Sequence, residues 1–383
     1  MNSLNDLPTP AALLDRARLE ANIARMQRRA DALGVALRPH VKTAKCVEVA
    51  TLQRAAGARG ITVSTLKEAE AFFAAGFDDI LYAVALPPNK VDAALALVRA
   101  GCALRVVVDS LAAAQALVAL ARGARQRLSV VIEIDSDGHR AGVAAESEAL
   151  IAIGHHLHDG GMDLCGVMTH AGSSYDCTSP QALVAMAEQE RARTVRAAER
   201  LRAAGLPCPV VSVGSTPTAL AAGHLAGVTE LRAGVYAFFD LVMTGVGGHG
   251  VCGLADIAMS VLTSVIGHQA DKGWILVDAG WMAMSRDRGT QAQAVDWGYG
   301  AVCAADGTPL PGLVLRGANQ EHGIVHAEGE AACDPDTLMM RYPVGSLLRI
   351  LPNHACATAA QHDSYRIVDG DRVTARWARF GGW

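Results

Sequence analysis

No basic run interrupts this sequence, and its formal net charge is −4. It therefore offers no electrostatic footprint for a nucleic acid, and no nucleic-acid partner is expected. No apolar run is long enough to cross a bilayer, so no membrane association is expected either. The opening Met1-Asn2-Ser3-Leu4-Asn5-Asp6 lacks a basic region followed by an apolar core, so a secretory signal is not expected. No CxxC pair occurs among the nine cysteines, at 46, 102, 165, 177, 208, 252, 303, 333 and 356. An odd, scattered set argues against a complete disulfide framework, and a reducing, cytoplasmic setting is the simpler expectation. Low-complexity segments and sequence repeats are absent as well.

What remains is a well-packed globular chain: 51% of its 383 residues are hydrophobic and 19% charged. That length holds one large barrel or two ordinary domains. A short strand at Ala11–Asp15 and a helix with Leu19, Ile23, Met26, Ala30 and Leu33 on one face come first. Extended apolar runs then recur at 35–39, 60–63, 80–84, 104–108, 128–134, 164–169, 210–213 and 230–232. Amphipathic segments rich in alanine and leucine separate them, the longest at 180–204. Strands apolar throughout are buried on both faces, as parallel strands are. Eight such units predict a TIM-type (β/α)8 barrel over residues 17–245, with a doubly wound open sheet as the runner-up. Beyond Leu241 and the glycine-rich 245–248, short β-type runs predominate, at 260–267, 274–278, 312–315, 347–351 and 365–368. A mainly β second domain is expected from residues 246–383, with residues 1–16 pairing into it.

In a barrel of this kind, reactive residues stand at the C-terminal ends of the strands. Lys42 follows the first strand, Thr62 and Ser64 the second, and His139-Arg140 the fifth. Thr169-His170 and Tyr175 follow the sixth, Gly214-Ser215-Thr216 the seventh, and Arg232 with Gly234-Val235 the eighth. Each has a plainer explanation as a cap or a surface turn, and a lone lysine there is usually solvated. Their shared rim is harder to dismiss. Gly214-Ser215-Thr216-Pro217 offers amides and hydroxyls to an anion. A rim lysine beside a phosphate cup points to pyridoxal 5'-phosphate held by a Schiff base.

These residues also carry a family resemblance. Over nearly its whole length the chain resembles the barrel-type (fold type III) pyridoxal-phosphate enzymes related to alanine racemase. Within them it is most similar to the branch of D-threonine aldolase, D-serine dehydratase and D-threo-3-hydroxyaspartate dehydratase, the last above all. The resemblance implies that Lys42, in Arg38-Pro39-His40-Val41-Lys42-Thr43, is the Schiff-base lysine, with Lys45 the next candidate. It puts Arg140 near the cofactor's phenolic oxygen and His170 against the pyridine ring. Gly214, Ser215, Thr216, Gly234 and Val235 would hold the phosphate. Arg232 would face the pyridine nitrogen, where members of the branch often carry histidine. Tyr175 would contact cofactor or substrate, or pack as a loop aromatic. A homodimer is implied too.

A second motif, Pro352-Asn353-His354-Ala355-Cys356, lies near the C-terminus. Read as a strand, it puts His354 and Cys356 on one face, able to reach one ion. Imidazole with thiolate favours zinc, with manganese and magnesium left open. Buried cysteine is more often plain filler, and the weight comes from the matching family motif. Aldolases of the branch tend to carry aspartate where Cys356 stands, so the resemblance favours dehydration of a D-configured 3-hydroxy amino acid, 3-hydroxyaspartate first. Aldol cleavage, D-serine dehydration, a non-catalytic cofactor carrier and a racemase using Tyr299 or Tyr342 are the alternatives. Arg286 and Arg288, with the turn Asn319–Gly323, are candidates for binding a second substrate carboxylate. His155, His156 and His158 read as a solvated helix end, and His268 and His362 receive no role.

Overall fold

The computed structural model describes residues 2–248 and 250–383; Met1, the first residue of the N-terminal stretch read above, lies outside them. The chain divides into two compact units, Ala24–Gly234 with Phe380–Trp383, and Met1–Ile23 with Val235–Arg379.

The first unit is built on eight parallel strands. They are β1 (Ala36–Leu37), β2 (Ile61–Val63), β3 (Asp79–Ala85), β4 (Ala103–Val108), β5 (Ser129–Asp135), β6 (Asp163–Met168), β7 (Val210–Val213) and β8 (Glu230–Leu231). Their hydrogen-bonded order is β1-β8-β7-β6-β5-β4-β3-β2. The two end strands meet through a parallel bridge between His40 and Thr62. Thr62 N donates to the Pro39 carbonyl at 2.8 Å and Val41 N to the Thr62 carbonyl at 2.9 Å. Pro39 has no N–H to give, but its carbonyl suffices for the seam. The sheet therefore curls back onto itself, as an open doubly wound sheet would not, and the expected barrel architecture is the one observed. Hydroxyl caps start the helices between strands: Thr65, Ser110, Ser147, Ser179 and Ser215 each accept a first-turn amide.

In the second unit, six antiparallel strands form a ring. Met259–Gln269, Trp274–Val277, Gly323–Ala327, Pro309–Ala318, Gly300–Ala304 and Leu347–Pro352 pair in that order. The first and last also pair, Val261 opposite Ile350, so this sheet closes too. Val261, Ile275, Val277, Leu315, Val325 and Ile350 fill its centre. The N-terminal strand Ala11–Asp15 pairs antiparallel with Met259–Gln269 and parallel with Ser364–Asp369. A mainly β second region with the N-terminal strand drawn into it is thus observed.

One local expectation needs correction. His354 and Cys356 do not sit on a strand. Leu347–Pro352 ends before them, and His354 is the N-cap of the short helix Ala355–Ala359, with Cys356 in its first turn. Five residues rich in alanine show no helical period, so the sequence could not separate this turn from the apolar strand before it.

Candidate active site

Lys42 follows β1 in a turn and extends to solvent. The chain arrives there along β8, with Arg38 N bonded to the Leu231 carbonyl at 2.9 Å and His40 N to the Ala233 carbonyl at 2.8 Å. The neighbouring Lys45 is engaged elsewhere. It adopts φ 44°, and its ammonium lies 3.1 Å from the buried carboxylate of Glu68, which also accepts from the Ser64 amide and hydroxyl. Of the two lysines, Lys42 is the one presented at the rim.

Lys42 belongs to a cationic group with two histidines in its midst. His170 keeps a solvent-facing edge, yet burial above all pushes its pKa down to about 4, with Lys42, Arg140 and Arg232 adding to the shift. His40 is held well below the usual imidazole range by burial, then by Lys42, Arg232 and His170. Both rings are therefore neutral near pH 7. Nδ1 of His170 donates to the Gly214 carbonyl at 2.8 Å, which fixes the tautomer and ring plane. Tyr175 is near, its ring centroid 6.3 Å from that of His170. Arg140 is exposed and 3.9 Å from Glu133. Arg232 is buried, donating to Ser212 Oγ and the Thr169 carbonyl.

The loop after β7 is tightly made. Gly214 has φ +146°, and a Cβ there would lie 2.4 Å from the Arg232 carbonyl oxygen, so only glycine fits. Ser215 caps Thr216–Ala221, accepting from Thr218 N at 3.2 Å, while its hydroxyl lies 2.9 Å from Ser174 Oγ. Its amide faces Thr218 Oγ1 at 3.2 Å. Thr216 is buried in the first turn. At Gly234 a Cβ would come within 3.0 Å of the His40 carbonyl oxygen, so the backbone here passes close to the chain leading to Lys42. Val235 is the first residue of the β unit and opens the turn Val235–Ala237.

These residues fit a phosphorylated pyridine aldehyde. The unit presents an amine, two arginines and neutral imidazoles, which suit an anionic ring compound. Thr62 Oγ1, buried beside His40 on the seam, has no hydrogen-bond partner among the described residues. A buried hydroxyl without a partner is uncommon and marks a place for a polar group.

In the β unit, Nδ1 of His354 donates to Asp287 Oδ2 at 2.7 Å. Burial opposes protonation of His354, but Asp287, Cys356 and Asp240 raise its pKa to about 11. Asp240, fully buried, has its carboxyl lifted to about 6 by burial and holds the Ala355 amide at 2.9 Å. Thr358 Oγ1 donates to the Met284 carbonyl and His362 Nε2 to the Ala283 carbonyl, at 2.6 and 2.9 Å. His362 is thereby a structural tie. Imidazole whose Nδ1 is held by a carboxylate, with a thiol beside it, is a donor set suited to a divalent ion. Among the described residues there is no cluster of three or more histidine, cysteine or acidic side chains that could hold a metal ion. Arg288 is paired with Asp296 at 3.0 Å, and Arg286 lies over Trp281. Amides of Trp281 and Met282 bond the Asn319 and Gln320 carbonyls, so the two stretches weighed for substrate binding do meet.

Reasoning from sequence passed over Glu190, Glu133 and Asp287. Glu190 had a signal: in the helix Pro180–Ala203 it lies in line with Leu183, Ala187, Thr194, Ala197 and Leu201 on the buried face. A carboxylate on an apolar stripe needs a partner. Asp287 had none beyond its place in a polar loop.

The fold and rim define a class, and comparison with known proteins names it. The chain belongs to the alanine racemase family, whose N-terminal domain matches residues 14–242; residues 258–368 match a putative serine dehydratase domain. Among individual relatives, D-threo-3-hydroxyaspartate dehydratase of Delftia sp. (strain HT23) is 62% identical over 100% of both chains. The solved structure of that enzyme superposes with a TM-score of 0.97 at 61% identity, covering 100% of each chain. Two further structures of D-threo-3-hydroxyaspartate dehydratase are alanine variants, one of a histidine and one of a cysteine two positions later, the latter in a metal-free form. A D-threonine aldolase of Arthrobacter is 30% identical, over 96% of this chain and 91% of its own.

Proposed function

We propose that this chain is a pyridoxal-phosphate- and metal-dependent lyase. It dehydrates D-threo-3-hydroxyaspartate, releasing a 2-keto acid and ammonia. The observation that carries the reading is the 62% identity to the dehydratase over the full length, against 30% to an aldolase. The metal and the individual residue roles are inferred from the site.

Lys42 Nζ would anchor the cofactor's aldehyde carbon and, as a free amine, would take the substrate's Cα proton. Arg140 would lie near the cofactor's phenolic oxygen, and Arg232 would face its pyridine nitrogen. His170, neutral and held in one plane by Gly214, would stack on the ring. Gly214, Ser215, Thr216 and Gly234, with Val235, would hold the phosphate, and Tyr175 would border the site. Pyridoxal phosphate, when bound, supplies the sink for the electron pair left at Cα. His354 and Cys356 would hold a divalent ion, with zinc favoured by the thiolate. Such an ion would supply Lewis acidity to the substrate's 3-hydroxyl, making hydroxide a tolerable leaving group. The spacing of the substituted histidine and cysteine in the relatives' variants matches that of His354 and Cys356. The barrel region, residues 17–245, is read as the cofactor domain and the remainder as the metal-bearing one. The enzyme is read as a homodimer of the cytoplasm, consistent with nine cysteines all free. No helix among the described residues is long and apolar enough to cross a membrane.

Product analysis tests the reading. Purified holoenzyme is given D-threo-3-hydroxyaspartate, D-serine and D-threonine, with and without a chelator. A 2-keto acid and ammonia, formed fastest from 3-hydroxyaspartate and lost on chelation, are expected. Glycine with an aldehyde would make the enzyme an aldolase, and activity indifferent to chelation would remove the metal from the chemistry.

A further inference from the structure

Glu190 is among the buried acids to which the mechanism above gives no task. It is almost wholly inaccessible, at 2% exposure, on the helix Pro180–Ala203. Its Oε1 accepts from Ala171 N at 3.0 Å and from Gly214 N at 3.2 Å. Its Oε2 accepts from Thr218 Oγ1 at 2.6 Å. One carboxylate thus binds the loop after β6 and the loop after β7.

These bonds close a ring around His170. Ala171 N belongs to the peptide that leaves His170, and the imidazole itself donates to Gly214 O. Gly214 N returns to the same Glu190 oxygen. Gly214 is held on both sides, its amide by Glu190 and its carbonyl by His170, at a φ open to glycine. From Oε2 the chain of contacts runs through Thr218 Oγ1 to Ser215 Oγ and on to Ser174 Oγ, at 3.0 and 2.9 Å.

We infer that Glu190 is a positioning residue for the cofactor: through Ala171 and Gly214 it sets the plane of the His170 ring. Through Thr218 it also orients the hydroxyl of Ser215. This rests on the reading that pyridoxal phosphate binds beside His170. Glu190 touches neither cofactor nor substrate. Its work is done by length and by acceptor geometry. A buried carboxylate is an expensive choice unless its acceptors are needed, and burial does raise its proton affinity. Two donors on one oxygen, from two loops, are what a shorter or apolar residue could not satisfy.

Three variants separate geometry from charge. E190Q keeps the length: its Oε1 can take both amides, and its amide nitrogen can donate to Thr218 Oγ1, whose proton turns to the Ser215 carbonyl 3.3 Å away. E190D keeps the charge but cannot span both loops. E190A keeps neither. Apoprotein of each is titrated with pyridoxal phosphate, following the bound cofactor's visible absorption and circular dichroism, beside the melting temperature of the apoprotein. E190Q is expected to bind within about threefold of wild type with the same dichroic band. E190D and E190A are expected to bind about 10- to 100-fold more weakly, with the band diminished, because amide donors lose their acceptor. If E190A does not fold, E190D with E190Q carries the test. Wild-type affinity and band in E190D overturn the inference. So does the reverse order, E190D intact and E190Q weakened, which would make Glu190 a counter-ion to Arg232. Failure of wild-type protein to bind the cofactor at all would instead overturn the reading beneath it.

Discussion

The barrel unit and the β unit close their sheets by similar means but fill them differently. At the floor of the barrel, Arg38 is clamped between Glu230 at 2.9 Å and Asp79 at 2.8 Å. Arg105 approaches both acids, and Ser212 Oγ donates to Glu230 at 2.7 Å. Higher up, buried Arg232 is faced by Glu230, Glu190 and Glu133. The cluster at the centre of the β unit is instead apolar, mostly valine, leucine and isoleucine. Desolvated ion pairs seldom beat an apolar core on stability alone. Their presence in the barrel is better explained by what the rim requires: charges fixed before a ligand arrives. The β ring needs rigidity, and apolar packing supplies it.

The largest expected effect lies on the polar side of this comparison. K42A should remove the visible absorption of added cofactor and lower turnover by about 10⁴-fold or more, since anchor and base are lost together. Survival of that absorption would mean the amine at the rim has been misassigned. The apoprotein should melt as wild type does, because Lys42 is exposed.

R38M and I350A set the two interiors against each other. Removing Arg38 takes the principal partner from buried Glu230, a loss of about 3 kcal/mol, at the low end for a broken buried pair because Arg105 remains 3.7 Å away. Asp79 is more exposed and adds little. I350A should cost a similar amount, about 2–5 kcal/mol, by opening a cavity in the ring. The two should part on acidification. Burial raises the Glu230 carboxyl, but Arg38 and Ser212 more than offset it, and its folded pKa lies below the ordinary value. That stabilisation is present above the unfolded pKa and disappears as pH falls through the folded one. R38M should therefore flatten the acid limb of the stability curve, whereas I350A should shift it without changing its shape. Identical acid limbs would erase the distinction between the two interiors.

The same contrast explains what could be read in advance. Barrel strands are buried on both faces and announce themselves as apolar runs, so all eight were legible. In the β unit, Gly300–Ala304, Gly323–Ala327 and Arg372–Ala378 escaped notice. The last alternates exposed and half-buried residues at the margin of the sheet, with arginines at both 372 and 376. Lys42, His170 and Gly214 could be named from sequence because strand ends and family motifs mark them. What sequence hid is tertiary: the partner of Lys45, the ring of bonds through Glu190, and the carboxylate behind His354 each join residues distant along the chain.

The smallest of these effects concerns that last carboxylate. Asp287 accepts from His354 Nδ1 and is itself held, Oδ1 taking the Gly289 amide at 2.9 Å. Just before it, Ser285 sits at φ 76°, a conformation rare for a residue with a side chain. That kink is anchored by the bonds from Thr358 and His362 to the carbonyls of Met284 and Ala283. The loop is thus tied at three points to the segment bearing His354 and Cys356. With Nδ1 held by Asp287, the ring's remaining nitrogen faces Cys356, the other side chain read as a ligand. D287A should weaken zinc binding about 10-fold, read by competition with a chromogenic chelator, because such outer partners orient and polarise their histidine. D287N should fall between, keeping an acceptor without the charge. Unchanged zinc affinity in both would reduce Asp287 to a loop tether. The β unit would then hold its polar groups by packing alone, as it holds its core.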